Sequence, residues 1–399
     1  MAIQDTAGTA PATKSSSSSW VYDPKVRSIA SQVALVAFII WVGYSIVENT
    51  AANLERQNIA SGFGFLSTTA GFGIGQTLID YAENSTYGRT FVVGVLNTIL
   101  VSVIGIALAT ILGFIVGVAR LSSNWVVERM ATVYVEVLRN LPLLLQIFFW
   151  YSATLLLFPN PRNAEQVLGF VGTNRGIFMP KPVWGEGSSL IVFALIIGII
   201  AAFGLARWAK ARQMKTGQPF PVFWSSIGLI LGLPLVAFVL AGFPLTWDVP
   251  ELRGFNYSGG VTVIPEFMAL LLALSFYTGA FIAEIVRAGI LAVSHGQTEA
   301  SYALGLRPGP TLRLVVIPQA MRVIIPPLTS QYLNLTKNSS LAVAIAYPDL
   351  VSVFAGTTLN QTGQAVEIIL MTMAVYLTLS LLTSAFMNWY NSRMALVER

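Results

Sequence analysis

Side chains able to do chemistry are scarce in this sequence. Cysteine is absent and histidine occurs once, at His295. That removes thiol nucleophiles, disulfides, Cys-based zinc sites and histidine metal clusters, so no metal site is expected. A lone histidine in a polar loop is assigned no role. The lysines at Lys14, Lys25, Lys181, Lys210, Lys215 and Lys337 all lack the Gly-Lys-Ser/Thr context of a phosphate-cradling loop. Two kinds of candidate remain. One is a set of charges inside apolar runs: Glu136, Arg139, Glu284, Arg287 and Lys337. The other is a compact polar loop, Ser294 to Pro310.

The runs that hold these charges are membrane spans. Of 399 residues, 55% are apolar and 10% charged, and the mean hydropathy is +0.69. A soluble domain carries about 25% charge, so the chain is a polytopic membrane protein. It is expected to be all-α, because the alternation of barrel strands is absent. A hydrocarbon core about 30 Å thick needs about 20 apolar residues per helix. Eight stretches qualify: Ile29–Val47, Phe91–Ala119, Thr132–Phe158, Ser188–Leu205, Val222–Phe243, Pro265–Gly289, Val315–Ala346 and Val366–Asn388. The seventh carries Pro318, Pro326 and Pro327 and is expected to be broken or bent.

Loop charges set the orientation. With the N-terminus in the cytoplasm, 15 Lys and Arg fall in inside segments and 6 in outside loops, which places both termini inside. The net charge of +5 follows from this bias and does not call for nucleic acid. Residues 1–28, with the run Ser15–Ser19, read as a disordered cytoplasmic tail and not a cleaved signal peptide; residues 393–399 form a second tail. The external segment 48–88 is polar and Gly-rich. Within it Gly62–Leu78 either lies along the membrane surface or is a plain solvated loop. Trp20, Trp41, Trp184, Trp247 and Trp389 sit near span ends, as interface anchors do.

Charge at mid-membrane costs from about 3 to over 10 kcal/mol, so it is paired or lines a wet cavity. Glu136 and Arg139 stand three apart, as do Glu284 and Arg287, and each pair can close on one helical face. Arg139 and Arg287 can equally sit at the cytoplasmic boundary. Lys337 has no carboxylate nearby in sequence. With Thr336, Asn338 and Ser339 beside it, Lys337 can meet a substrate carboxylate or form a structural ion pair with a carboxylate such as Glu284. Helix ends exposed at Pro326–Pro327 would add backbone groups facing a polar cavity.

The polar loop, within residues 290–314, holds a short helix by local rules. Thr298 can cap it, Glu299 suits the first turn, Ala300 and Ala303 favour helix, and Gly305 can end it in the left-handed conformation. Pro308 and Pro310 prevent continuation. An ordinary connecting loop would satisfy these features as well.

The order of motifs goes further. Glu299-Ala300-Ser301, Gly305 six residues after the Glu, and Ile317-Pro318 resemble the EAA loop of ABC importer permeases, with Ser301 where that family has a second Ala. Lys337-Asn338-Ser339-Ser340-Leu341, Glu136-Val137-Leu138-Arg139-Asn140-Leu141-Pro142, and Tyr277-Thr278-Gly279 through Glu284-Ile285-Val286-Arg287 are similar to its polar amino-acid subfamily. The resemblance covers about 89–158 and 265–392. An extra N-terminal span (29–47), the segment 48–88 and an insert at 188–243 depart from the minimal five-span permease. They are similar to the Q-type permease subunits of general L-amino-acid ABC transporters, or to their glutamate/glutamine/aspartate/asparagine relatives.

That resemblance implies a type I ABC importer transmembrane fold, residues 89–392, with five of about eight spans as its core. It implies a non-enzymatic permease of the bacterial inner membrane. Its expected partners are a homologous second permease in a heterodimer, two ATPase subunits holding ATP and Mg, a periplasmic amino-acid-binding protein and membrane lipid, with no cofactor in this chain. Glu299, Ala300, Ser301, Leu304 and Gly305 would couple to the ATPase. Lys337, Asn338, Thr336, Ser339, Glu284 and Tyr277 would lie along the substrate pathway. The competing reading is an ion-gradient-driven secondary transporter, which predicts an internal two-fold repeat and buried coupling carboxylates; neither is evident in the sequence.

Overall fold

The computed structural model describes residues 24–56 and 61–394. Most of the expected N-terminal tail, Trp20 and residues 395–399 lie outside the described residues. Twelve α-helices are assigned among them: α1 (Pro24–Arg56), α2 (Tyr87–Ala119), α3 (Trp125–Asn140), α4 (Leu143–Leu157), α5 (Ser188–Thr216), α6 (Val222–Leu240), α7 (Pro265–Leu291), α8 (His295–Ala303), α9 (Pro308–Thr311), α10 (Ile317–Asn338), α11 (Leu359–Thr362) and α12 (Ala365–Met394). Among the described residues, 7 helical rods are long and apolar enough to cross a bilayer, or 8 if α3 and α4 count as one broken span.

Helix α7 is the hub, packed by α2, α3, α4 and α10. Gly105, Ala109, Gly113 and Gly117 of α2 recur every four residues and so share one helix face. A Cβ at Gly113 would stand 2.5 Å from Ile282 Cβ, and one at Gly117 would stand 2.7 Å from the Ala283 carbonyl oxygen. Backbones this close supply the van der Waals packing that holds helices together in lipid, where apolar burial contributes little.

Two expected spans take a different shape. The third is two helices, α3 and α4, meeting at 109°. Leu141 sits at the corner with extended backbone, φ −92° and ψ 132°, because the ring of Pro142 disfavours helical geometry in the residue before it. In the seventh, the assigned helix α10 runs through Pro326 and Pro327, so the expected helix ends there do not exist. Its irregularities lie on either side. A π-helical stretch, Leu312–Val316, precedes Pro318; the wider turn relieves the clash between a proline ring and the carbonyl four residues back. A 3₁₀ stretch, Ser339–Ile345, follows α10 and ends at Ala346 with φ 56°. From Pro308 to Ile345 the chain is one helical rod of 38 residues.

The segment Gly62–Leu78 caps the bundle. Phe65 and Ala70 are buried against Tyr87, Leu350, Phe354 and Ile368, so it is not a plain solvated loop.

The insert holds more than its two helices. Eight short strands flank α5 and α6: β1 (Gln166–Val167), β2 (Phe170–Thr173), β3 (Gly176–Met179), β4 (Lys181–Trp184), β5 (Leu245–Asp248), β6 (Glu251–Arg253), β7 (Asn256–Ser258) and β8 (Val261–Val263). They form an antiparallel sheet in the order β1-β2-β3-β8 and the two-stranded ribbons β4-β5 and β6-β7. Two of these pairings join chain before the helical hairpin to chain after it, with Ile177 opposite Val263 and Trp184 opposite Leu245. Helices α5 and α6 pack chiefly on each other, and α6 has no buried residue.

Candidate functional site

Helix α8 begins one residue after Ser294, which takes the N-cap position that the sequence reading gave to Thr298. Its other end is closed by paired backbone bonds. The Gly305 N–H donates to the Tyr302 carbonyl at 2.9 Å and the Leu306 N–H to the Ser301 carbonyl at 3.1 Å, the pattern of a Schellman stop. Gly305 has φ +79° with nothing within 4 Å of a built Cβ. Backbone conformation, not space, requires glycine there.

Glu299, Ala300, Tyr302 and Leu304 are exposed, Leu304 to 83%. Glu299 contacts His295 at 3.0 Å across one turn. Ser301 turns inward at 4% exposure, its hydroxyl donating to the Gln297 carbonyl at 2.7 Å. The exposed side of the helix thus includes one carboxylate, one aromatic, two alanines (Ala300 and Ala303) and one projecting leucine.

The face is mechanically attached to the bundle. Pro308 sits in the first turn of α9, and the Thr311 N–H bonds to the Arg307 carbonyl at 3.0 Å. The prolines therefore start the next rod as well as stopping α8. Gln319 Nε2 donates to Gln297 Oε1 at 3.3 Å, tying α10 to α8. Lys337 lies about 30 Å along the axis from Ile317 at a rise of 1.5 Å per residue.

Near the α8 end of α7, one carboxylate gathers three guanidinium groups. Glu284 Oε1 accepts from Arg287 Nη2 at 2.7 Å, Glu284 Oε2 accepts from Arg120 Nη1, and Arg139 Nη1 stands 3.9 Å from Oε2. The Arg139 guanidinium also lies 5.1 Å from the Phe281 ring centroid. The Glu284–Arg287 pair is therefore made. Arg139 turns to Glu284 instead of Glu136, and Glu136 is exposed with no ion pair among the described residues. Arg120 was not singled out from sequence. Its signal was its place at the end of a long apolar span.

Lys337 has a different environment. It is exposed and makes no ion pair among the described residues, so the structural partnership with Glu284 is not formed. It lines a hollow of about 580 Å³ together with Ser340 and with Thr372, Tyr376 and Ser380 of α12. Thr372 and Ser380 lie seven and fifteen residues into α12, so the hollow is at membrane depth. Thr336 and Ser339 point elsewhere. Both are buried, with hydroxyls donating to the Tyr332 carbonyl at 3.0 Å and the Thr336 carbonyl at 2.8 Å. Asn338 is half-buried. Tyr277 is half-buried with its ring 5.0 Å from Phe281, on the helix that carries the arginine cluster.

The turn between the rod and α12 is pinned by residues to which the sequence reading gave no site role. Asn97 Nδ2 donates to the Pro348 carbonyl at 2.8 Å, and the Leu350 N–H donates to Thr98 Oγ1 at 3.0 Å. Asp349, fully buried, accepts from the Ser352 N–H at 2.8 Å and from the Tyr376 hydroxyl at 3.3 Å. One wall of the Lys337 hollow is thereby fixed to α2.

Residues 105–396 match the family described as binding-protein-dependent transport system inner membrane component. The chain is 56% identical over 380 residues to the general L-amino acid transport system permease protein AapQ of Rhizobium johnstonii, covering 95% of each. It is 54% identical over 379 residues to the putative amino-acid ABC transporter permease protein YhdX of Escherichia coli, covering 94% of this chain and 96% of the relative. It is 43% identical over 415 residues to the glutamate/glutamine/aspartate/asparagine transport system permease protein BztB of Rhodobacter capsulatus, covering 95% and 96%.

Proposed function

Because the chain belongs to the family of binding-protein-dependent transport system inner membrane components, we propose that it is one of two related permease subunits between which L-amino acids cross the membrane. It is a multi-pass inner-membrane transport permease subunit, and that family does not accommodate the ion-gradient-driven alternative. A binding protein delivers the amino acid to the outer side. Both termini and α8 face the cytoplasm, in keeping with the excess of Lys and Arg there. Two ATPase subunits, holding ATP and Mg, grip the outward face of α8 at Glu299, Ala300 and Leu304, and Gly305 holds the turn that presents it.

The observation that carries this reading is the unbroken rod. Residues 308–345 join the α8 loop to the hollow at Lys337 as one continuous helical stretch. A rotation imposed on α8 therefore reaches the hollow as movement of a stiff lever, with Gln297–Gln319 as a second attachment. An exposed ammonium at membrane depth needs a counter-charge from outside the chain. The amino acid's α-carboxylate supplies one, and a homologous partner permease covers the face. The heterodimer closes the pathway that this chain leaves open.

Reconstitution with the partner permease, the ATPase and the binding protein tests the proposal. ATP hydrolysis should rise when L-amino acids load the binding protein, and removing the ATPase should abolish uptake. Uptake that follows an ion gradient without the ATPase would sink it.

A further inference from the structure

The pocket between α1 and α12, at the end of α12 away from α8, belongs to neither part of the transport machinery described above. It holds about 720 Å³, with Ile46, Val47 and Thr50 of α1 on one side and Val366, Ile369 and Leu370 of α12 on the other. None of the α1 span is buried, and Ile46, Val47, Ile369 and Leu370 are themselves exposed. The pocket therefore opens onto the apolar sides of two spans. Glu367 stands in its wall, 8% exposed, two residues from the start of α12. Its Oε1 accepts from the Gly62 N–H, while its Oε2 is buried without a hydrogen-bond partner among the described residues. Gln364, one turn back and also 8% exposed, has an equally unpartnered Oε1.

Burying an acceptor without a donor is costly. Among the described residues the site therefore lacks a donor, and a cationic one suits a carboxylate best. It lies where the candidate spans Val26–Thr50 and Ala365–Met394 end, the level at which headgroups are expected, and its remaining walls are apolar enough for an acyl chain. We propose that this pocket binds a phospholipid with a primary-ammonium headgroup, phosphatidylethanolamine, its N–H group donating to Glu367 and one acyl chain lying between α1 and α12. A choline headgroup brings the same charge without an N–H donor, and a glycerol headgroup lacks the cation. The lipid fills the gap that α1 leaves and tethers α1 to the bundle.

The test uses the assembled transporter in bilayer discs of equimolar ethanolamine, choline and glycerol phospholipids, with native mass spectrometry of the lipids that stay bound. A charge-assisted hydrogen bond should favour the ethanolamine lipid over the choline lipid by about tenfold. Glu367→Gln should erase most of that preference. Leu370→Trp, which fills the groove and leaves the carboxylate in place, should lower retention of the same lipid and decides the matter if Glu367→Gln fails to assemble. Equal retention of ethanolamine and choline lipids, unchanged preference in both variants, or no retained lipid would overturn the proposal.

Discussion

Two charged sites in the bundle obey opposite rules. At Glu284 one carboxylate is shared by Arg120, Arg139 and Arg287, all supplied by this chain. At Lys337 one ammonium lines a hollow with hydroxyl and apolar neighbours and no carboxylate among the described residues. Partial burial accompanies the first and exposure the second. A charge satisfied from within locks helices to each other, here α2, α3 and α7. A charge left for something outside marks a surface that is completed by a partner or by cargo. Glu284 is thus a clasp in the bundle, and Lys337 is the residue we propose lines the path.

Substitutions sharpen that contrast when stability and uptake are measured separately. The largest effect is expected for Glu284→Gln, which leaves three part-buried guanidinium groups without their shared anion. About 2–3 kcal/mol of stability should go, the usual cost of breaking a buried pair reduced for partial exposure, visible as a lower melting temperature of the purified transporter. An unchanged melting temperature would deny the clasp. Lys337→Ala should leave melting unaltered and cut amino-acid uptake about tenfold or more, as losing a charge-assisted contact does, with partial recovery in Lys337→Arg. A drop in melting temperature without a transport-specific defect would return Lys337 to a structural role.

Smaller effects are expected at α8. Gly305→Ala forces a side chain into the left-handed region at a cost of about 1 kcal/mol, and should slow ATP-driven uptake more than it alters melting. Gly305→Asn, better tolerated there, should recover uptake. His295→Ala removes an exposed one-turn contact to Glu299 and should shift stability by no more than about 0.5 kcal/mol. Loss of uptake in that variant, measured at equal expression, would make His295 part of the ATPase contact.

What sequence conveyed follows from how local each signal is. Helices such as α2 and α7 are announced by long apolar runs. Gly305 is announced by its place between helix formers and prolines. The corner at Leu141–Pro142 was present as a proline, yet the apolar run continues across it and hides the break. Arg120 and Glu284 lie 164 residues apart, so the clasp depends on tertiary packing that no spacing rule reaches. The strands of the insert are two to four residues long, too short for alternation to register, and their pairings span the whole hairpin. Lys337 was conspicuous as a lone charge, but its companions Thr372 and Tyr376 come from another helix.

The strand pairing around the hairpin also bears on how such a chain can grow. Trp184 and Leu245 sit opposite each other in one ribbon, so the polypeptide departs for α5 and returns from α6 through neighbouring doorways. A module entered and left at one spot can be gained or shed without disturbing what surrounds it.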